Sequence, residues 1–547
     1  MRLFLLRFLC AGSLFLTASL TADETLRPVD RRQDEARGIY ALWVPNEAAA
    51  ERMRALPFVR GGQIVVQWAK LEPEPGRYDF SALDAQLATM AKRGWRATLQ
   101  VNGNVKPEWL FAQVPYVKEK LHQQVRDPRG TLMFWHPRFQ EAHLAMIEAL
   151  ARHLKASPHR GNLLGLRLNF NAIGTEQLRV PAELADPAKW VFPEGVSRAG
   201  VLRYSDAVRT EYEEKVVAAY DRHFADWATV FVRNNIDDEV EVRIASKLNA
   251  GRLSLFHTSS EVEPRSRSTE RQYGLFYEYG RAGRTMAYAE PWASAWGEHG
   301  GKTDPRWCSP AQWNYWTLLL NLHCGVSVIG EYFANLNYAA TGEHAGDAPV
   351  SPASAGPREF AAAYTWAADY IGLHHRPAAS PGAWVAFREN FEAKAANENV
   401  PAANRKLARF TGDYDWLMHR VAGDGSVGVG PVGPPDQRFG AFARRFPAGA
   451  EAKLALDSEF RNTLQAGARV RVIYLDEART APAWISVRTR AGVEKIGELN
   501  FAGGGRWVAA EFAVSREIAA EFAGDWQFSV SAGADPLILH MIEVLRL

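Results

Sequence analysis

From Gly38 to about Asn337, short β-rich apolar runs alternate with longer stretches whose apolar positions recur every three or four residues. The runs are Ile39 to Val44, Gln63 to Trp68, Arg96 to Val101, Leu163 to Asn169, Thr229 to Arg233, Leu253 to His257, Thr285 to Ala289 and Val326 to Gly330. Between them, Ser81 to Lys92 begins on a serine and repeats apolar residues at Leu83, Leu87 and Met90, and Pro137 to Leu154 has the same spacing, so both are expected helices. Repeated strand–helix units imply a parallel sheet, and eight such units closing on themselves make a (β/α)8 barrel, the expected fold of residues 38–380. An open doubly wound sheet is the alternative. No Gly-x-Gly-x-x-Gly follows a strand, which weakens its nucleotide-binding version.

The pattern changes after the barrel region. Phe360 to Leu373 reads as a last barrel helix and Ala383 to Arg388 as a strand joining two parts. Residues 381–435 are expected to connect them, because Gly and Pro dominate Gly423 to Pro435 and no periodic apolar pattern survives there. Strand-like alternation resumes at Val470 to Leu475, Ala483 to Thr489, Trp507 to Val514, Trp526 to Ser531 and Leu537 to Val544, so residues 436–547 are expected to form an antiparallel β-sandwich.

Composition narrows the partners. With 64 basic and 62 acidic residues among 547, the chain has no strong field to gather nucleic acid or an anionic membrane. The 18 Trp and 17 Tyr offer flat faces of the kind that stack on sugar rings, although core packing accounts for half or more of them. Arg2 and Arg7, the apolar stretch Phe8 to Leu20 and then Thr21-Ala22-Asp23 have the layout of a secretory signal peptide over residues 1–22, which implies a secreted or periplasmic protein. No later run suits stable membrane insertion. After cleavage Cys308 and Cys324 remain, either as one disulfide or as two buried thiols. No Cys or His spacing resembles a zinc site, so neither a metal nor a cofactor is expected.

The candidate chemistry lies at two strand ends. Leu166-Arg-Leu-Asn-Phe-Asn-Ala-Ile-Gly-Thr-Glu176 and Thr285-Met-Ala-Tyr-Ala-Glu-Pro-Trp292 each close an apolar run with a glutamate. If the runs are the fourth and seventh barrel strands, Glu176 and Glu290 point into one mouth. Glycoside hydrolysis needs such a pair, one carboxyl to protonate the leaving oxygen and one to attack or stabilise the anomeric carbon. Burial and its partner's charge should raise the proton affinity of the acid/base, while the nucleophile stays ionised. Glu331 also ends a strand and competes with Glu290. Trp68, Asn102, Asn171, Asn234, His257, Tyr288 and Trp292 fall at strand ends where they can line a sugar pocket, with Trp296 just beyond. Glu72 and Glu74 read as turn and capping residues.

The stretch Val66-Gln-Trp-Ala-Lys-Leu-Glu-Pro-Glu-Pro-Gly-Arg-Tyr-Asp-Phe-Ser-Ala-Leu-Asp84 resembles the second-strand signature of clan A glycoside hydrolases, especially the β-galactosidase-like enzymes of families 42 and 35. The resemblance implies a retaining mechanism on a β-linked glycoside or polysaccharide, with Glu176 as acid/base and Glu290 as nucleophile. Clan A members usually carry Asn directly before the acid/base; Thr175 stands here, and either Thr175 or Asn171 would then contact the sugar. A catalytically inactive carbohydrate-binding protein on the same barrel is the alternative. The C-terminal part is similar to the jelly-roll modules appended to bacterial polysaccharide-degrading enzymes, through Trp507 and the closing strand Leu537 to Val544.

Overall fold

The computed structural model describes residues 36–233, 238–260, 273–291, 309–343, 356–388 and 412–547, without the side chains of 238–243 and 258–260. The signal segment, Asn234, Trp292, Trp296 and Cys308 lie outside the described residues.

Eight strands close a parallel barrel in sequential order: β1 (Gly38–Leu42), β2 (Val59–Gln67), β3 (Arg96–Asn102), β4 (Leu163–Arg167), β5 (Thr229–Arg233), β6 (Ser254–Ser260), β7 (Ala287–Pro291) and β8 (Val328–Tyr332). Each overlaps one of the eight apolar runs. Around them lie α1 (Glu47–Arg54), α2 (Ser81–Lys92), α3 (Pro137–Ala156), α4 (Asp206–Phe224), α5 (Asp238–Asn249), α6 (Pro310–His323), α7 (Phe333–Thr341) and α8 (Pro357–Tyr370). The strand pleat sorts side chains by face: Tyr40, Phe231, Phe256, Tyr288 and Val328 fill the barrel interior, whereas Ile39, Leu99, Ala287 and Ile329 join the layer shared with the helices. Gly61 marks a tight point in the wall, since a Cβ there would lie 2.0 Å from the Arg96 carbonyl oxygen.

Beyond the barrel, the strands form two antiparallel sheets, as expected of a sandwich. One contains β9 (Gly382–Ala386), β10 (Tyr414–Trp416), β12 (Val427–Val429), β13 (Ala443–Phe446), β15 (Ala468–Leu475), β18 (Trp507–Val514) and β20 (Leu537–Arg546). The other contains β11 (Met418–Arg420), β14 (Glu451–Leu456), β16 (Ala483–Thr489), β17 (Gly492–Leu499) and β19 (Phe528–Ser531). The stretch 381–435, expected to connect and to hold one strand at Ala383 to Arg388, has that strand as β9 and adds β10, β11 and β12, so it supplies both sheets; runs of three residues are too short to show alternation. β17 was not expected either, because most of it is exposed and polar.

The barrel and the first sheet meet along α6 and α8. Every residue of α6 is buried, which explains why this helix lacks a polar face. The buried Glu543 carboxylate on β20 accepts hydrogen bonds from Trp366 Nε1 (2.7 Å) and Tyr370 OH (2.5 Å) on α8, and pairs with Arg471 of β15 at 3.0 Å. Arg281 reaches Asp415 of β10 at 2.8 Å, and the Tyr315 hydroxyl of α6 lies 3.0 Å from His540 Nε2.

Candidate active site

The signature loop after β2 is a structural device. Trp68 is fully buried among Phe139 and His143, opening the short helix Trp68–Leu71. Its Nε1 donates to Glu72 Oε2 at 2.8 Å, and Glu72 Oε1 accepts the Gly76 N–H at 3.0 Å. Gly76 has φ +70°, so the loop turns through a glycine that leaves Tyr78 beside the same carboxylate. Trp68 is therefore core, not a sugar-stacking face, and the Trp, Glu, Gly and Tyr of the motif are one hydrogen-bonded unit.

Glu176 and Glu290 do converge. Glu290 ends β7 on the barrel's inner face, two residues after Tyr288, whose hydroxyl donates to Glu290 Oε1 at 2.8 Å. Glu176 comes from the loop after β4. That loop is pinned by the Asn171 N–H on the Thr175 carbonyl at 2.7 Å and by Lys106 Nζ on the Gly174 carbonyl at 3.1 Å. Between the glutamates stands Arg167, at the end of β4: Nη1 donates to Glu290 Oε1 at 3.2 Å and Nη2 to Glu176 Oε1, while its guanidinium stacks 3.8 Å from the Phe256 ring centroid. Arg233, ending β5, donates to the other Glu176 oxygen. The side chains of Arg167, Glu176 and Glu290 are 5%, 6% and 5% exposed, so the cluster is nearly dry.

This charge pattern reverses the expected proton affinities. Burial pushes the Glu176 carboxyl up, but Arg233 and Arg167 outweigh it and hold the group below the usual carboxylate range. For Glu290 burial dominates and raises the proton affinity, against Arg167 and the Tyr288 hydrogen bond and with the Glu176 charge. The cause is the arginines: Glu176 has two and Glu290 shares one.

The other expected pocket residues are mostly internal. Asn102 Oδ1 accepts from Gln100 Nε2 at 2.5 Å. Asn171 has φ +51° and its Nδ2 lies 3.3 Å from His143 Nε2. Thr175 Oγ1 donates to Asn104 Oδ1 at 3.1 Å, so neither Thr175 nor Asn171 is turned toward a sugar beside Glu176. His257 is buried against Tyr273 and Phe276, with burial and Arg233 lowering its pKa to about 3, a neutral barrel histidine. Tyr288 serves Glu290. Glu331 faces the helices: its Oε1 accepts the Tyr332 N–H at 3.0 Å and Asn335 Nδ2 at 2.9 Å, away from the Arg167 cluster. Arg167 and Arg233 were not foreseen as site residues, although both occupy strand ends in the expected runs. Lys106, fully buried with its pKa lowered to about 7 by desolvation, was not foreseen either.

A cavity of about 300 Å³ opens beside Glu176, lined among others by His122, Gln177, Arg179, Glu213 and Arg233. Among the described residues no group of three or more His, Cys, Asp or Glu is placed to hold a metal ion, and no helix is long and apolar enough to cross a membrane. Cys324 is a buried thiol.

Residues 49–161 match the β-galactosidase family model Glyco_hydro_42, a segment that runs from α1 to the end of α3 and includes the signature loop. Over 70 residues the chain is 43% identical to β-galactosidase BgaA of Thermus sp, covering 12% of this chain and 10% of that protein. Over 98 residues it is 32% identical to β-galactosidase BbgII of Bifidobacterium bifidum, covering 17% and 14%. The alignments thus span about a tenth to a seventh of those relatives' lengths. Among solved structures, the β-galactosidase of the psychrophilic Marinomonas ef1 aligns over 60% of this chain and 59% of that chain, at 13% identity and a TM-score of 0.35.

Proposed function

We propose that the protein is an exported retaining glycoside hydrolase that cleaves a β-linked glycoside, galactoside-like in its sugar, with Glu176 and Glu290 as its two carboxyls. The observation that carries this is the convergence of the β4-loop and β7 glutamates on one guanidinium inside the barrel mouth, the paired-carboxyl arrangement that glycoside hydrolysis needs. The similarity of residues 49–161 to β-galactosidases supports the sugar class, and the layout of residues 1–22 supports export. In this reading Glu176 protonates the departing oxygen and Glu290 attacks the anomeric carbon. Burial raises the proton affinity of Glu290 and the two arginines lower that of Glu176, so this reading requires the entering sugar to draw the arginines off Glu176 while Arg167 stays with Glu290.

A second reading, a carbohydrate-binding protein without turnover, is favoured by one observation: Arg167 fills the gap between the carboxyls where the sugar would sit. Turnover of a panel of aryl β-glycosides, with product anomers followed by NMR, separates the two. The hydrolase reading expects release with retention in the parent and a loss of at least about a thousandfold in Glu290→Gln with the fold intact. Parent-level turnover by that variant refutes the assignment of Glu290. Absence of turnover across the panel, together with binding of the same sugars, establishes the second reading.

A further inference from the structure

The closed barrel wall has a short ladder between β1 and β2. β1 and β2 pair only through Ile39–Ala41 and Val59–Gly62, whereas β2 continues against β3 as far as Gln67 and Asn102, and β1 against β8 as far as Leu42 and Tyr332. Above the last β1–β2 pair lies a cavity of about 520 Å³, reaching outward between α1 and α2 and lined by Trp43, Glu47, Gln63, Gln86, Arg93 and Trp95 among others. A volume of this size falls within the range of about 300 to 1,000 Å³ usual for small-molecule sites.

Two features of this slot have no structural use. Trp43 is 52% exposed and adopts φ +55°, a left-handed conformation that is an outlier for a bulky side chain and commonly accompanies function. Gln63 lines the cavity, and its buried Oε1 has no hydrogen-bond partner; its Nε2 contacts Gln100 Oε1 at 3.4 Å, an oxygen that also accepts from Arg167 of the glutamate cluster. Glu47 and Arg93 neutralise each other across the rim. The slot thus offers an exposed indole face, an unsatisfied buried amide oxygen and no unbalanced charge at its rim.

We propose that this slot is a second saccharide-binding site, reached from between α1 and α2, in which a neutral hexose unit of a β-linked glycan stacks on Trp43 and a sugar hydroxyl donates to Gln63 Oε1. An aromatic face suits the C–H face of a pyranose, and an amide oxygen suits a hydroxyl donor; an anionic sugar would find no uncompensated cation at the rim. The site is argued without reference to catalysis and stands whichever reading of the glutamates holds.

The test is native affinity electrophoresis of the full chain carrying Glu290→Gln, which blocks degradation of the gel polysaccharide, in gels containing neutral β-1,4-galactan, xyloglucan or arabinoxylan, with acidic pectin alongside. The expected result is retardation by at least one neutral glycan. Adding Trp43→Ala should raise the dissociation constant at least tenfold, whereas Trp43→Phe should change it less than threefold. Trp43→Gly should lose binding as Trp43→Ala does while keeping the parent's thermal midpoint, since glycine accepts φ +55° without strain. The proposal is overturned if no neutral glycan retards the protein, if only pectin does, if Trp43→Ala binds like its parent, or if the loss in Trp43→Gly comes with a lowered midpoint. Aryl glycoside turnover by the chain with Glu290 intact, expected to be within twofold for Trp43→Ala, tests the hydrolase reading separately.

Discussion

Replacing Glu331 with Gln gives the sharpest test of how burial governs the acidic groups of this barrel. Glu331 is fully buried between β8 and the helices α7 and α8, and burial pushes its carboxyl from the ordinary 4.5 up to about 7, despite hydrogen bonds from Asn335, the Tyr332 N–H and Tyr364. Between those two values the native chain holds a proton that the unfolded chain has released, so stability falls as pH rises. The contribution is fully present below 4.5 and is lost as pH passes about 7. At about 1.4 kcal/mol per pH unit, the interval corresponds to roughly 3 kcal/mol. A glutamine keeps an oxygen for the Tyr332 N–H and does not titrate. Urea unfolding of the parent and Glu331→Gln at pH 4, 5, 6, 7 and 8, followed by circular dichroism, should show stabilities that nearly coincide at pH 4 and diverge to roughly 3 kcal/mol in favour of the variant by pH 8. Curves that stay parallel across this range would refute the assignment of a raised proton affinity. The same variant should turn over aryl glycosides at the parent rate, because Glu331 lies outside the Arg167 cluster; a collapse of activity would restore it as a rival to Glu290.

Three further outcomes follow from named contacts. Arg167→Met removes the cation shared by two buried carboxyls and should destabilise the protein by about 3 to 5 kcal/mol, read as a lowered thermal midpoint, and Arg167→Lys should not restore it because a point charge cannot serve both acceptors. Trp68→Phe should cost about 1 to 3 kcal/mol through the hydrogen bond lost to buried Glu72, with KM for aryl glycosides unchanged; a raised KM would return Trp68 to the sugar site. Glu543→Gln weakens the pairing with Arg471 and two hydrogen bonds at the seam between α8 and the first sheet, and should cost about 1.5 to 3 kcal/mol in chemical unfolding without altering KM.

The barrel was legible in the sequence because its strands are buried on both faces and read as apolar runs, and because α2 carries its apolar stripe in the chain itself, although Ser81 is its first helical residue and not its cap. Ser81 to Lys92 is observed as read. What sequence missed depends on register or on distant partners. β4 ends at Arg167, and it is Arg167 that bonds Glu290, whereas Asn169, two residues on, donates to the Val101 carbonyl. An arginine in an apolar run carries no sign of the carboxylates that surround it, which come from residues nine and 123 positions away. Trp68 looked like a pocket residue because it closes a strand; the chain turns into a helix there and takes the indole inward. Trp507, the point of resemblance to a jelly-roll module, is buried with its Nε1 on the Val432 carbonyl at 3.3 Å, a contact no local pattern announces.

The seam between the two parts also orders assembly in time. β9 follows the barrel directly and pairs on one side with β10, yet its partner on the other side, β20, is made more than 150 residues later. Until that strand emerges, the indole of Trp366 and the hydroxyl of Tyr370 on α8 lack the Glu543 carboxylate they bond, and Tyr315 and Trp316 of α6 lack the His540 ring they pack against. A nascent chain therefore carries a nearly finished barrel with an open apolar flank, the sort of surface on which a chaperone acts, and any ribosomal pause before residue 537 lengthens that exposure.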